Sequence, residues 1–144
     1  MTRIREAQQD DLPRLLEFYR QTGYSGGVTP TDRILLAEVN GSTAASVRLC
    51  KENGTLVLRG MRVREDLRRR GIGTSILKAA LPIFGEEGCY CIAHPYLETF
   101  HGQFGFAKLG LDQAPEFLLD RLRNCRARGL DVILMGREGG AASG

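Results

Sequence analysis

An α/β fold is what the sequence predicts, and three observations predict it. Short β-branched or alternating runs recur between segments whose apolar residues fall three and four apart, so strand and helix periods follow one another along the chain. Asn-Gly pairs at 40–41 and 53–54 separate consecutive strand-like runs, the dipeptide that closes tight antiparallel hairpins. Residues 56–77 then run from an aliphatic strand through a charged turn into a helix that opens on Gly-x-Gly.

Taken in order, Thr2–Ala7 alternates enough for a first strand, and Asp10-Asp11 supplies an N-cap before the helical stripe Leu12, Leu15, Leu16 and Tyr19. Gly23–Pro30 is a glycine-rich loop. Ile34–Val39, Ala44–Lys51 and Thr55–Val63 are strands of an antiparallel meander joined at the two Asn-Gly turns. A helix over Ile72–Phe84 carries Ile72, Ile76, Leu77, Ala80, Leu81 and Phe84 on one side, with Pro82 shortening or kinking its last turn. Strand Tyr90–Ala93, helix Leu97–Phe104, strand Phe106–Leu109, helix Pro115–Arg128 and strand Asp131–Arg137 complete the pattern. The expectation is one domain over residues 1–138 and a disordered tail over 139–144.

At 144 residues such a domain buries roughly two thirds of its unfolded surface, enough for a core without disulfides or metals. The net charge of +3 is mild: it suits an anionic ligand, and no helix-turn-helix, zinc finger or aromatic platform accompanies it to indicate nucleic acid. Met-Thr-Arg-Ile-Arg at the start lacks a signal peptide's apolar run and no segment reaches membrane-spanning length, so a cytoplasmic protein with no membrane partner is expected. Cys50, Cys89, Cys91 and Cys125 lie in apolar segments and read as reduced, mostly buried thiols. A metal site from Cys89, Cys91 and His94 is disfavoured, because 94 has the opposite strand parity and Cys-x-Cys lacks the spacing of structural zinc sites; no metal is expected.

The chemistry concentrates at the turn before the long helix. Gly71 and Gly73 let an anion approach the backbone, and the helix start offers unpaired N–H groups at the positive end of its dipole. Thr74 and Ser75 stand where a nucleoside-triphosphatase loop needs its lysine. Arg68-Arg69-Arg70 stand where a dinucleotide fingerprint needs its first glycine. The bland alternative is a solvated basic turn formed by Arg62, Arg64 and Arg68 to Arg70.

What fits is Arg-x-x-Gly-x-Gly over Arg68–Gly73, followed in order by Gly105-Phe106. In these two motifs the chain resembles the GCN5-related N-acetyltransferase (GNAT) superfamily along nearly its whole length. The resemblance implies a mixed, splayed central sheet flanked by helices on both faces, the early loop shortening or replacing the second helix. It also implies acetyl-CoA as cosubstrate, wedged between the fourth and fifth strands. On that basis the backbone of Arg69, Arg70, Gly71, Ile72, Gly73 and Thr74 binds the pyrophosphate, and the main chain of Met61 and Val63 pairs with the pantetheine. The side chains of Arg68, Arg69 and Arg70 are candidates for the 3′-phosphate. Homodimerisation is a family-level expectation.

Many members place an Asn seven residues before a Tyr that acts as general acid toward the departing thiolate. Counting back from Gly105-Phe106 puts His94 and His101 at these positions. An imidazole can donate a proton to sulfur, so His101 is the candidate catalytic residue and His94 a candidate cofactor contact; the bland reading is a His101 that only caps its helix. No carboxylate stands out as base among Glu38, Glu65 and Glu98.

For the acceptor, a two-residue turn at Asn53-Gly54 pairs Glu52 with Thr55, Cys50 with Val57 and Arg48 with Arg59. Like charges directly opposed are unfavourable unless an anion lies between them. Either carboxylates of the protein satisfy them, or Arg48 and Arg59 bind a carboxylate or phosphate of the substrate. The expected function is acetyl transfer to the amine of a small, acidic or zwitterionic acceptor by direct attack in a ternary complex. A non-catalytic acyl-CoA-binding module is the alternative, kept open by the missing Tyr.

Overall fold

The computed structural model describes residues 2–24, 26–29, 31–84 and 88–138. They fall into two compact units, Met1–Ile83 and Phe84–Gly144. The tail expected at 139–144 lies outside the described residues.

In the first unit, β1 (Thr2–Glu6), β2 (Arg33–Val39), β3 (Ser42–Glu52) and β4 (Thr55–Val63) pair antiparallel in chain order. The two turns carry positive φ at both residues, 52° and 81° at Asn40-Gly41 and 51° and 75° at Asn53-Gly54. That left-handed pair is what Asn-Gly supplies, and its twist matches the strands it joins. The register follows from the turn: Glu52 faces Thr55, Cys50 faces Val57 and Arg48 faces Arg59, as the sequence predicted.

Helix α1 (Leu12–Thr22) enters through a 3-10 turn, Gln9–Asp11, whose Asp11 carboxylate accepts from the Gln8 amide at 2.7 Å. It ends at Gly23 in the left-handed conformation. Its inward stripe is Leu15, Phe18 and Tyr19, packed with Ile34 and Leu36 of β2. This corrects the expected stripe, since Leu12 and Leu16 are 39% and 46% exposed. Ile34 faces Arg48 and Leu36 faces Ser46, so Ser46 and Arg48 lie on the α1 side of the sheet. No helix occurs among the described residues between α1 and β2.

The β3–β4 pairing carries a feature the sequence reading did not include. Ser46 faces Arg62 and Arg48 faces Arg59, so one residue of β3 opposes two of β4, Gly60 and Met61. Gly60 has φ +61°, the left-handed first residue of a bulge. A Cβ there would lie 3.0 Å from Arg48 Cδ and 3.2 Å from the Tyr19 hydroxyl, so glycine permits both the turn and the close packing. The bulge restores Arg62 to the same face as Arg59.

Helix α2 (Ile72–Phe84) has the predicted bounds and buries Ile72, Ile76, Leu77, Ala80 and Phe84. Pro82 sits in its last turn without ending it.

In the second unit, β5 (Cys89–Ala93), β6 (Ala107–Lys108) and β7 (Ile133–Arg137) form an antiparallel group with β7 between the other two. Helix α3 (Glu98–Gly102) is shorter than predicted. Pro95 starts a 3-10 turn, Pro95–Leu97, and i→i+3 bonds from Gln103, Phe104 and Gly105 tighten the exit. Helix α4 (Glu116–Ala127) buries Leu118, Leu119 and Leu122.

Candidate functional site

Strand β4 ends at Val63, and a 3-10 turn, Glu65–Leu67, anchors the following loop by burying Leu67. Arg69 and Gly71 have φ of +66° and +77°, on either side of Arg70. Alternating handedness of this kind turns successive backbone N–H groups toward one concavity, a nest suited to an anion. Glycine takes the left-handed conformation freely, and a Cβ at Gly71 would meet nothing within 4 Å. The first amide bonded into α2 is Ser75 N–H, which donates to Gly71 O at 3.0 Å. The amides of Gly71, Ile72, Gly73 and Thr74 precede it and sit at the positive end of the helix dipole.

Arg68, Arg69 and Arg70 are all exposed beside this concavity. Arg68 Nε donates to Val63 O at 3.3 Å, while Arg64 pairs with Asp66 at 2.8 Å on the surface. Met61 and Val63 are half-buried at the end of β4. The first unit thus brings together the basic triplet, the glycine turn, the helix start and the strand end.

The two histidines belong to the second unit and differ in environment. His101 is 4% exposed, its ring packed edge-on to Phe100 and Phe106. Its Nδ1 lies 3.1 Å from Leu97 O. A carbonyl only accepts, so Nδ1 carries the proton and the neutral ring keeps its lone pair on Nε2. Burial pushes the imidazole pKa down, and the Leu97 carbonyl opposes this in part. His94 is exposed, donates from Nδ1 to Asp131 O at 3.0 Å and stacks on Tyr96 with 5.5 Å between ring centroids. Gly105 of the Gly-Phe pair has φ +90°, and a Cβ there would lie 3.1 Å from Arg137 Nε, which donates to Phe104 O at 2.9 Å.

Arg48 and Arg59 face each other as predicted, but they do not meet as a clamp. Arg48 donates to Asp32 at 2.7 and 2.8 Å and to the Tyr24 hydroxyl, and the Arg48 and Asp32 side chains are each 2% exposed. Burial raises the Asp32 pKa, but the amide and hydroxyl of Thr29 and the Arg48 guanidinium outweigh it and hold the carboxyl below its usual range. A carboxylate of the protein therefore satisfies Arg48, the alternative weighed above, and this corrects its reading as a substrate ligand. Arg59 is half-buried, with Glu52 Oε1 at 3.7 Å.

Beside this pair stand residues the sequence reading did not single out as a group. The Tyr19 hydroxyl, Ser46 Oγ and Arg62 Nε are sealed from solvent; the two hydroxyls interact only loosely with each other, and Arg62 Nε has no hydrogen-bond partner. Their signal was visible in principle as a glycine inside a strand and as polar residues in the apolar run Ala44–Cys50.

The model of the acetyltransferase (GNAT) family matches residues 2–110. No match was found among curated proteins. Among solved structures the chain is similar to an acetyltransferase of the GNAT family from Streptococcus pneumoniae, with a TM-score of 0.72, 17% identity and coverage of 97% of this chain and 100% of that one. Escherichia coli ElaA gives a TM-score of 0.70 at 19% identity, over 96% and 100% of the two chains. N-acetylglutamate synthase from Neisseria gonorrhoeae, solved with coenzyme A and N-acetyl-glutamate, gives 0.68 at 16% identity; the match covers 95% of this chain and 35% of that one. At these identities the likeness is one of fold.

Proposed function

The chain belongs to the acetyltransferase (GNAT) family, and we propose that it transfers the acetyl group of acetyl-CoA to the amine of a small acceptor. The observation that carries this reading is the turn between β4 and α2, where left-handed residues at Arg69 and Gly71 lead into an open helix start beside three exposed arginines. Amides from Arg69 to Thr74 would hold the pyrophosphate, and Arg68 to Arg70 the 3′-phosphate. The main chain of Met61 and Val63 would pair with the pantetheine, and His94 would contact the cosubstrate.

In the proposed reaction the amine attacks the thioester carbonyl, whose oxygen is polarised by a backbone N–H of β4. His101 is assigned the proton. With Nδ1 bound to Leu97 O and the ring held neutral by burial, Nε2 first takes a proton from the attacking nitrogen. The resulting imidazolium then gives that proton to the departing thiolate. One ring thereby supplies both the acid that the resemblance implies and the base that no carboxylate supplied. Cys50, Cys89 and Cys91 are buried thiols, and a cytoplasmic setting is part of the proposal.

Thiol release from acetyl-CoA across a panel of amines tests the reading. Amine-dependent release supports it. Tight acetyl-CoA binding with no release above hydrolysis would favour a binding module that has lost catalysis.

A further inference from the structure

We propose that Tyr19, Ser46 and Arg62 form a subsite for a carboxylate on the acceptor, an inference that rests on the acetyl-transfer reading above. Strand pairing sets Ser46 directly opposite Arg62, on the sheet face that α1 covers with Tyr19. The Tyr19 hydroxyl, Ser46 Oγ and Arg62 Nε are each sealed from solvent; the two hydroxyls interact only loosely with each other, and Arg62 Nε has no partner. Leaving such a group unmatched is costly in a folded protein, and such atoms are few in native structures. An unpartnered Arg62 Nε beside two hydroxyls matched only by each other calls for a ligand, all the more because the adjacent Arg48 is matched by Asp32 and Tyr24 from the loop after α1.

The chemistry of the three atoms selects the ligand. Each can donate, two through hydroxyls and one through a guanidinium N–H. Asp32 neutralises Arg48, whereas among the described residues no carboxylate pairs with Arg62; its guanidinium carbon lies 5.5 Å from the Tyr24 ring centroid. The cluster therefore carries one uncompensated positive charge. Water would satisfy donors but leave that charge, while a carboxylate accepts from all three and cancels it. Arg62 as a residue is half-buried, unlike Ser46 and Tyr19, which are buried.

The position also suits an acceptor. Arg62 lies between Met61 and Val63, whose main chain is assigned to the pantetheine, and the bulge at Gly60 sets its side chain on the α1 face. The acceptor class is a small amine bearing a carboxylate, such as a free amino acid, rather than a polyamine or a basic peptide side chain.

The test compares the common amino acids with their α-carboxamides as acceptors, by thiol release, and the same compounds as stabilisers in thermal melts. The wild type should use its preferred free acid roughly 10²-fold better in kcat/KM than the matching amide. Arg62→Gln should bring the two within a few-fold while acetyl-CoA affinity stays unchanged, and Ser46→Ala, which keeps the charge, should lose part of the preference. Equal use of acid and amide by the wild type overturns the subsite, as does an undiminished preference in a folded Arg62→Gln; if that variant does not fold, Ser46→Ala decides. If acetyl-CoA binds but no amine is acetylated, the acetyl-transfer reading fails. The carboxylate subsite then stands or falls on the melts, in which free acids must raise the melting temperature of the wild type and not that of Arg62→Gln.

Discussion

Replacing Asp32 by Asn tests whether the Arg48–Asp32 pair belongs to the scaffold. Both side chains are 2% exposed, and Asp32 also accepts from the amide and hydroxyl of Thr29 at 2.8 and 2.7 Å. The substitution keeps the shape and leaves the Arg48 charge buried without its counterion. Removing one partner of a buried pair costs about 3–5 kcal/mol, because the remaining charge has lost water and gained nothing. Domains of this size hold roughly 5–15 kcal/mol in total, and each kcal/mol moves the melting temperature by about 3–4 °C, so a fall of ~9–20 °C is expected. Urea unfolding followed by circular dichroism should show a lower midpoint with an unchanged slope. The double variant Asp32→Leu with Arg48→Met, which removes both charges, should recover most of the loss. A loss below about 1 kcal/mol for Asp32→Asn would refute the buried-pair account and return Arg48 to the candidates for substrate binding.

His101→Phe keeps an aromatic ring among Phe100 and Phe106 but has no proton to move. It should lower kcat by roughly 10²-fold, leave acetyl-CoA affinity within a few-fold and remove one ionisation from the pH–rate profile; wild-type rates would make His101 structural. Asp11 is held well below the usual carboxylate range by Arg5, at 2.6 Å, and by the Gln8 amide. The unfolded chain therefore takes up a proton that the folded chain refuses, so this contribution is complete above about pH 4–5 and is lost as the pH falls further. Asp11→Asn should destabilise at neutral pH and flatten the acid side of the stability profile, and an unchanged profile would contradict the assignment.

Local rules governed what the sequence made legible. Asn-Gly requires two left-handed residues, and this one requirement placed the register of β3 on β4, including Arg48 opposite Arg59. The bounds of α2 followed from the glycine turn and the apolar stripe after it. The fate of Arg48 was not legible, because its partner Asp32 lies 16 residues away in a loop whose path no periodicity describes. Similarly, the bulge at Gly60 shifts parity along β4, and without it Arg62 and Arg59 would be read on opposite faces. The inward side of α1 was misjudged by one position in the helical turn, since Leu12 and Leu16 are as apolar as Phe18 and only tertiary packing separates them. At the site, Arg68–Gly73 and Gly105-Phe106 could be read from residue type and spacing. The state of His101 depended on a carbonyl one turn back that sequence does not orient.

Calorimetric titration of acetyl-CoA into the wild type and into Gly73→Val tests the central claim most directly. Residue 73 lies inside the first turn of α2, where valine is a slightly better helix former than glycine, so the fold should persist. Its branched side chain would stand among the amides assigned to the pyrophosphate. The account predicts saturable binding to the wild type and at least a ~10²-fold weaker affinity in a variant with an unchanged circular dichroism spectrum. Equal affinity in the folded variant would contradict the assignment of this turn as the acetyl-CoA cradle.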